Sequence, residues 1–130
     1  MITITLTNKQ AKVITEALDA YTRAKVGQFT YSLDHMVKTP KGVHINRDSL
    51  QRIESYLRML FFPELRDGQS YGITQEEVPD EARIAFDIYQ AICYKLPKEN
   101  NMPEMYKSDI FKTSKTQQLP VVKGDFDDKD

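Results

Sequence analysis

The first half of the sequence contains a group of side chains whose types and spacing suit a nucleotide or phosphate ligand. Tyr21, Arg23, Gln28 and Phe29 lie within a short stretch near the predicted end of the first helix. Aromatic rings stack on bases, and a guanidinium with a neighbouring amide holds a phosphate or a base edge. The alternative interpretation places Tyr21 and Phe29 in the core and pairs Arg23 with Asp19 on the same helix face.

A second group surrounds the loop that precedes the last predicted helix. Arg66 and Tyr71 lie on this loop, and Arg83 lies near the start of the helix. Two guanidinium groups and a phenol offer a second binding site for an anionic ligand. In the alternative interpretation, Arg83 lays its aliphatic stem along the apolar face of the helix and keeps its charge in water.

The sequence lacks the motifs that common catalytic and metal sites require. Its single cysteine, Cys93, and two separated histidines form no metal-binding pair, and its five glycines are scattered along the chain. Asp19 and Asp87 lie in alanine-rich or apolar stretches, and we interpret both as charges on helix surfaces. Cys93 fits a buried structural thiol. We therefore expect a protein without a metal, a cofactor or catalytic residues.

Charge and hydropathy limit the class of partner. The chain has 18 Lys and Arg residues against 19 Asp and Glu residues, for a formal net charge of −1. This balance disfavours general binding to nucleic acids, which depends on neutralising phosphates. No apolar run approaches the roughly 20 residues that cross a bilayer, and the first residues lack the basic and apolar regions of a signal peptide. We expect a cytoplasmic protein that does not bind membranes.

Spacings of three and four between apolar residues predict four helices. A capping box formed by Thr7 and Gln10 begins the first helix, and Asn46 or Asp48 begins the third. Pro63 ends the third helix, because proline cannot continue the hydrogen-bond pattern. The predicted ranges are 8–26, 28–37, 48–62 and 79–96.

The two ends of the chain are predicted to form strands. Ile2, Ile4 and Leu6 alternate with threonines, a pattern typical of a strand with one buried face. Residues 1–97 are expected to form a helical domain, and residues 98–130 a polar extension packed on that domain or on a partner. We expect residues 120–124 to pair with the N-terminal strand, because a lone strand is unstable. Alternatively, one or both strands add to the sheet edge of a partner.

The predicted fold is therefore mainly α. It is a compact bundle of about four helices with a short two-stranded β element, formed by the N-terminal strand and the C-terminal tail.

Three stretches of the chain resemble a family of small bacteriophage proteins. The first runs from Leu6-Thr-Asn-Lys-Gln-Ala through Ala17-Leu-Asp-Ala-Tyr-Thr-Arg to Gly27-Gln-Phe, the second joins Tyr71-Gly-Ile-Thr to Ala82-Arg-Ile-Ala-Phe-Asp-Ile-Tyr-Gln, and the third is Asp125-Phe-Asp. The likeness covers most of residues 1–96. It implies a phage accessory protein that acts in the host cytoplasm by stoichiometric binding.

Together these features favour a non-enzymatic protein that binds and inhibits a host protein, such as a component of host defence. The first alternative is a sponge that sequesters a small nucleotide signal through the two groups of candidate residues. The second alternative is a small nucleotide-processing enzyme. A homodimer that shares a site across its two-fold axis is compatible with all three functions.

Overall fold

The computed structural model describes residues 1–37, 42, 45–66, 68–96 and 110–124. It contains four helices, α1 (Asn8–Lys25), α2 (Phe29–Met36), α3 (Arg47–Phe61) and α4 (Asp80–Lys95). Each lies within one residue of its predicted range, so the prediction of four helices is confirmed. No helix in the described part of the chain is long and apolar enough to span a membrane.

The helices begin where the sequence provides side-chain caps. Thr7 is extended (φ −71°, ψ 164°), and its Oγ1 accepts a 3.2 Å hydrogen bond from the Gln10 amide. Gln10 Oε1 accepts a 2.9 Å hydrogen bond from the Thr7 amide, which completes the predicted capping box. Asn46, rather than Asp48, caps α3 by accepting a 3.1 Å bond from the Ser49 amide. These bonds satisfy amides that have no partner within the helix.

A tight turn joins α1 to α2 at Gly27. Its φ of +90° favours glycine, and an added Cβ would lie only 3.1 Å from Leu65 Cδ1. The Gln28 amide donates back to the Arg23 carbonyl at 2.8 Å, a bond typical of helix C-termini. Arg58 of α3 donates through Nε to the Gly27 carbonyl at 2.9 Å, so the turn also anchors α3.

The core forms where α1 meets α4. α1 packs against both α4 and α2. Val26, Val78 and Ala82 form the buried cluster, and half-buried Tyr71 and Ile73 pack against it from the loop before α4. The Tyr71 amide donates to the Val26 carbonyl at 2.9 Å and ties this loop to the end of α1.

α3 lies at the edge of this core. Among the helices, it contacts only α2, and it buries none of its own residues. The predicted compact bundle is therefore three packed helices with a fourth attached at its side. Polar bonds contribute to the attachment, because Glu54 of α3 accepts from the Thr30 amide at 3.2 Å and pairs with Arg58 at 2.7 Å.

The predicted two-stranded β element is wrong. No strand is present in the described part of the chain, and residues 2–6 and 120–124 are not joined by a ladder of hydrogen bonds. The tail instead follows α4, where Gln90 Nε2 donates to the Phe111 carbonyl at 3.1 Å and Asp87 binds residues 113 and 114. Of the predicted extension, residues 98–109 and 125–130 lie outside the described residues.

Candidate functional site

The first predicted group contains an internally bonded polar network. Arg23 Nε pairs with Asp19 Oδ2 at 3.0 Å, and Arg23 Nη1 donates to Gln28 Oε1 at 2.7 Å. Gln28 Nε2 donates in turn to Ser70 Oγ at 3.1 Å. The guanidinium carbon of Arg23 also lies 5.1 Å from the centre of the Tyr31 ring. The network links the end of α1 to the loop before α4, and both ends of the Gln28 amide are used within the chain.

The two aromatic residues of the first group lie in different surroundings. Half-buried Phe29 packs against Phe61 and Phe62, with ring centres 6.1 and 5.8 Å away. Tyr21 is exposed and lies under the Lys25 ammonium at 5.3 Å. The pair therefore does not form a joint stacking platform, because Phe29 belongs to an aromatic cluster between helices.

In the second group, Tyr71 is linked to Phe29 of the first group through Phe62. Tyr71 packs edge-on against Phe62, with the ring centres 5.9 Å apart, and so reaches the Phe29 cluster. Its hydroxyl donates to the Glu64 carboxylate, which raises the pKa of Tyr71 to about 12 and lowers the pKa of Glu64. Arg66 is exposed on the loop.

The environment of Arg83 agrees with neither interpretation of the sequence. It is buried, and its guanidinium donates to the carbonyl groups of Ile73 at 3.0 Å and Gln75 at 2.5 Å. A third contact runs to Asp80 at 3.8 Å. Arg83 therefore holds the loop before α4 against that helix, and its charge is not directed into water.

Two shallow depressions lie away from all seven predicted site residues. One, of about 450 Å³, lies between the end of α4 and the tail and is lined by Ala91, Tyr94, Lys95, Ile110, Pro120 and Val122. The other, of about 530 Å³, lies on the outer surface of α3 and is lined by Asp48, Gln51, Arg52, Ser55, Tyr56 and Met59. The predicted residues therefore do not line either depression.

Asp87 forms a buried socket for the tail that the sequence interpretation missed. It is only 2% exposed, so its interpretation as a helix-surface charge is wrong. Its Oδ1 accepts from the Thr113 amide at 2.8 Å and from the Thr113 hydroxyl at 2.7 Å, and its Oδ2 accepts from the Ser114 amide at 2.9 Å. The position of Asp87 inside an apolar helical stretch was the sequence signal for this role. A charge buried there requires hydrogen-bond donors from another part of the chain.

Asp80 lies two helical turns before Asp87 and binds the next part of the tail. Ser114 Oγ donates to Asp80 at 3.0 Å, the Lys115 amide donates at 2.8 Å, and the Thr116 hydroxyl donates at 2.5 Å. The Thr116 bond, followed by the Lys115 amide bond, lowers the pKa of Asp80 to about 2. Both carboxylates therefore act as acceptors for the tail.

The outer face of α3 is apolar and uncovered. Five large side chains on this helix have more than half of their surface exposed, namely Ile53 (51%), Tyr56 (61%), Met59 (67%), Leu60 (58%) and Phe61 (66%). Ile53, Tyr56 and Leu60 follow one another at spacings of three and four, so they form one stripe along the helix. Met59 flanks the stripe, whereas Phe61 lies on the inner side of the helix, where its ring contacts Phe29. We call Ile53, Tyr56, Met59 and Leu60 the α3 outer face.

The N-terminal segment, residues 1–6, is also apolar and uncovered. Ile2 and Ile4 are 94% and 70% exposed, although they belong to the alternating pattern that predicted a half-buried strand. The segment leads directly into the Thr7 cap of α1. Its side chains thus have the pattern of a strand without a neighbouring strand among the described residues.

The described residues contain no group of side chains suited to hold a metal ion. Cys93 is buried as predicted, and burial raises the pKa of its thiol to about 11. Comparison of the whole chain with protein-family models, curated proteins and solved structures finds no match.

Proposed function

We propose that this chain is a non-enzymatic binding protein that adds its N-terminal segment to the edge of a sheet in a partner protein. The observation that carries the proposal is the exposure of Ile2 and Ile4 at 94% and 70% in a β-branched alternating segment. Such a segment supplies backbone hydrogen bonds to an edge strand and alternate side chains to its pockets. The resemblance to small bacteriophage proteins supports a host protein, such as a defence component, as the partner.

The nucleotide-sponge alternative has less support from the geometry. Arg23 and Gln28 bond to each other and to Asp19 and Ser70, and Arg83 is buried against backbone carbonyls. A nucleotide would therefore have to displace existing bonds, whose loss costs about as much as new bonds contribute.

A proline substitution in the segment tests strand addition. Ile4→Pro removes both a backbone donor and the β-branched side chain that would enter a pocket of the partner, whereas Ile4→Val retains both. The wild-type chain and the Ile4→Val variant are expected to retain the same host protein at equal stoichiometry from a bacterial lysate, and the Ile4→Pro variant to lose it. Amide exchange at residues 2–6 should then slow by a factor on the order of 100 in the purified complex.

Two outcomes would contradict the proposal. One is a partner that the Ile4→Pro variant retains as well as the wild-type chain does. The other is that the wild-type chain retains no stoichiometric protein partner and a cyclic or ADP-ribose-like nucleotide raises its unfolding temperature. That result would favour the nucleotide sponge.

A further inference from the structure

We infer that residues 110–117 of the tail form a releasable strap, and that the side of α4 beneath this strap is a binding site for a peptide with adjacent hydroxyl residues. The tail occupies this site within its own chain and so acts as an autoinhibitory contact. Neither the strap nor the site includes a residue of the N-terminal segment, so both are independent of the partner of that segment. Three properties of the contact support a strap of this kind.

The first property is the polarity of the contact. Within residues 110–124, Thr113 and Ser114 alone are buried, at 9% and 4% exposure, and no apolar side chain of this range is buried. On α4, the groups that bind the strap are the carboxylates of Asp80 and Asp87 and the side-chain amide of Gln90. Separation of the strap from the helix would therefore expose mainly groups to which water can hydrogen-bond.

The second property is the independence of the core from the strap. The buried cluster consists of Val26, Val78 and Ala82, with Tyr71 and Ile73 packed against it, and all five residues lie outside the tail. The packing of α1 against α2 and α4 supports the same core. Segments that bury little apolar surface open locally while the rest of a protein stays folded. The helices are therefore expected to remain in place when the strap opens.

The third property is the way in which α4 distinguishes residue types in the strap. Asp80 and Asp87 are seven residues apart, so they lie on one side of the helix, about 10 Å apart along its axis. Asp87 accepts from the amide and hydroxyl of Thr113 and from the amide of Ser114. Asp80 accepts from the Ser114 hydroxyl, the next amide and the Thr116 hydroxyl. The amides fix the path of the chain, whereas the hydroxyls select serine or threonine, because a site built to bind a hydroxyl disfavours a residue without one.

A segment of the type Thr-Ser-x-Thr in another protein offers the same donors to α4. It would bind only to molecules in which the strap is open, so its apparent affinity is reduced by the fraction of open molecules. A substitution that weakens the strap and leaves α4 unchanged should therefore increase the affinity for a peptide added in trans. This gain distinguishes an autoinhibitory strap from a tail that is a permanent part of the fold.

Amide hydrogen exchange of the full chain tests whether the strap opens alone. After correction for intrinsic rates, the amides of Thr113, Ser114 and Lys115 are expected to exchange at least about 100-fold faster than the amide of Ala20, which is buried in α1. Equal protection at the two places would overturn the inference, because the strap would then open only when the whole molecule unfolds.

Binding of a fluorescent peptide with the sequence of residues 110–118 tests the site. The double variant Thr113→Val with Ser114→Ala removes two hydroxyls of the strap and leaves both carboxylates of α4 unchanged. Fluorescence anisotropy should show that the double variant binds the peptide at least about tenfold more tightly than the wild-type chain does. Gln118→Ala changes an exposed residue just beyond the strap, so this control should bind the peptide as the wild-type chain does.

A second peptide, with valine and alanine in place of the threonine and serine at positions 113 and 114, should bind the double variant at least about tenfold more weakly. If the double variant loses its helical circular dichroism, Thr116→Val replaces it, because this change removes only an exposed hydroxyl donor to Asp80 and should increase affinity about threefold. Equal binding by the wild-type chain and the variant, binding by neither, or equal binding of the two peptides would overturn the inference.

Discussion

Asp87 shows how one buried charge connects distant parts of the chain. Its two carboxylate oxygens accept three hydrogen bonds from Thr113 and Ser114, and the side chain is almost completely removed from water. Hydrogen bonds to a charged acceptor are stronger than those between neutral groups. Asp87 therefore fixes the position of the tail on α4.

We expect Asp87→Ala to destabilise the protein by about 2–4 kcal/mol, because it leaves the amides of Thr113 and Ser114 without their acceptor. Urea unfolding measures this change. Glu81→Ala, an exposed acid on the same helix, should change the free energy of unfolding by less than about 0.5 kcal/mol. Equal effects of the two substitutions would show that the Asp87 socket does not stabilise the fold.

Asp80 predicts a specific dependence of stability on pH. Its pKa is about 2 in the folded chain and 3.8 without interactions, so folding favours the ionised form. The stabilisation is complete above about pH 4 and is lost as the pH falls towards 2. Asp80→Asn should therefore unfold at a lower temperature than the wild-type chain at pH 6, and the difference should shrink near pH 2. A difference that is unchanged between these pH values would contradict the assigned hydrogen bonds.

At the residue scale, the sequence predicts the local interactions better than the distant ones. The Asp19–Arg23 pair and the Thr7 capping box join residues less than one and a half turns apart, and both are present. The roles of Arg83 and Asp87 depend on chain segments whose approach is set by the tertiary fold. Residue type and helical spacing do not contain that information. The sequence therefore favoured solvent-exposed charges for both Arg83 and Asp87.

α3 depends on polar bonds for much of its attachment to the rest of the chain. Arg58 donates to the Gly27 carbonyl and pairs with Glu54, and Glu54 also accepts from Thr30. We expect Arg58→Ala to cost about 2–3 kcal/mol, since Oε1 of the half-buried Glu54 carboxylate and the Gly27 carbonyl both lose the donor that Arg58 provides. Chemical denaturation measures the loss.

Arg52→Ala is the control for this prediction, because Arg52 is exposed on the same helix. It should change the free energy of unfolding by less than about 0.5 kcal/mol. A loss of equal size in the two variants would show that the bonds of Arg58 do not hold α3 in place.

At the element scale, helix ends were predictable and the neighbours of each element were not. Thr7, Asn46 and Pro63 act within a turn of the boundaries that they set, so the four helix ranges agree with the structure. The alternation of Ile2, Ile4 and Leu6 indicates an extended backbone, but it does not identify the chain that pairs with it. Likewise, the apolar periodicity of α3 indicates a face to be covered and not its occupant.

The capping box at Thr7 has a mechanical consequence for any protein held by the N-terminal segment. Thr7 is at once the last extended residue and the cap of α1, so no spacer separates the two. A captured sheet would therefore keep a fixed orientation relative to the axis of α1. A glycine-serine spacer inserted after Leu6 should preserve capture and let the orientation of the sheet relative to α1 vary.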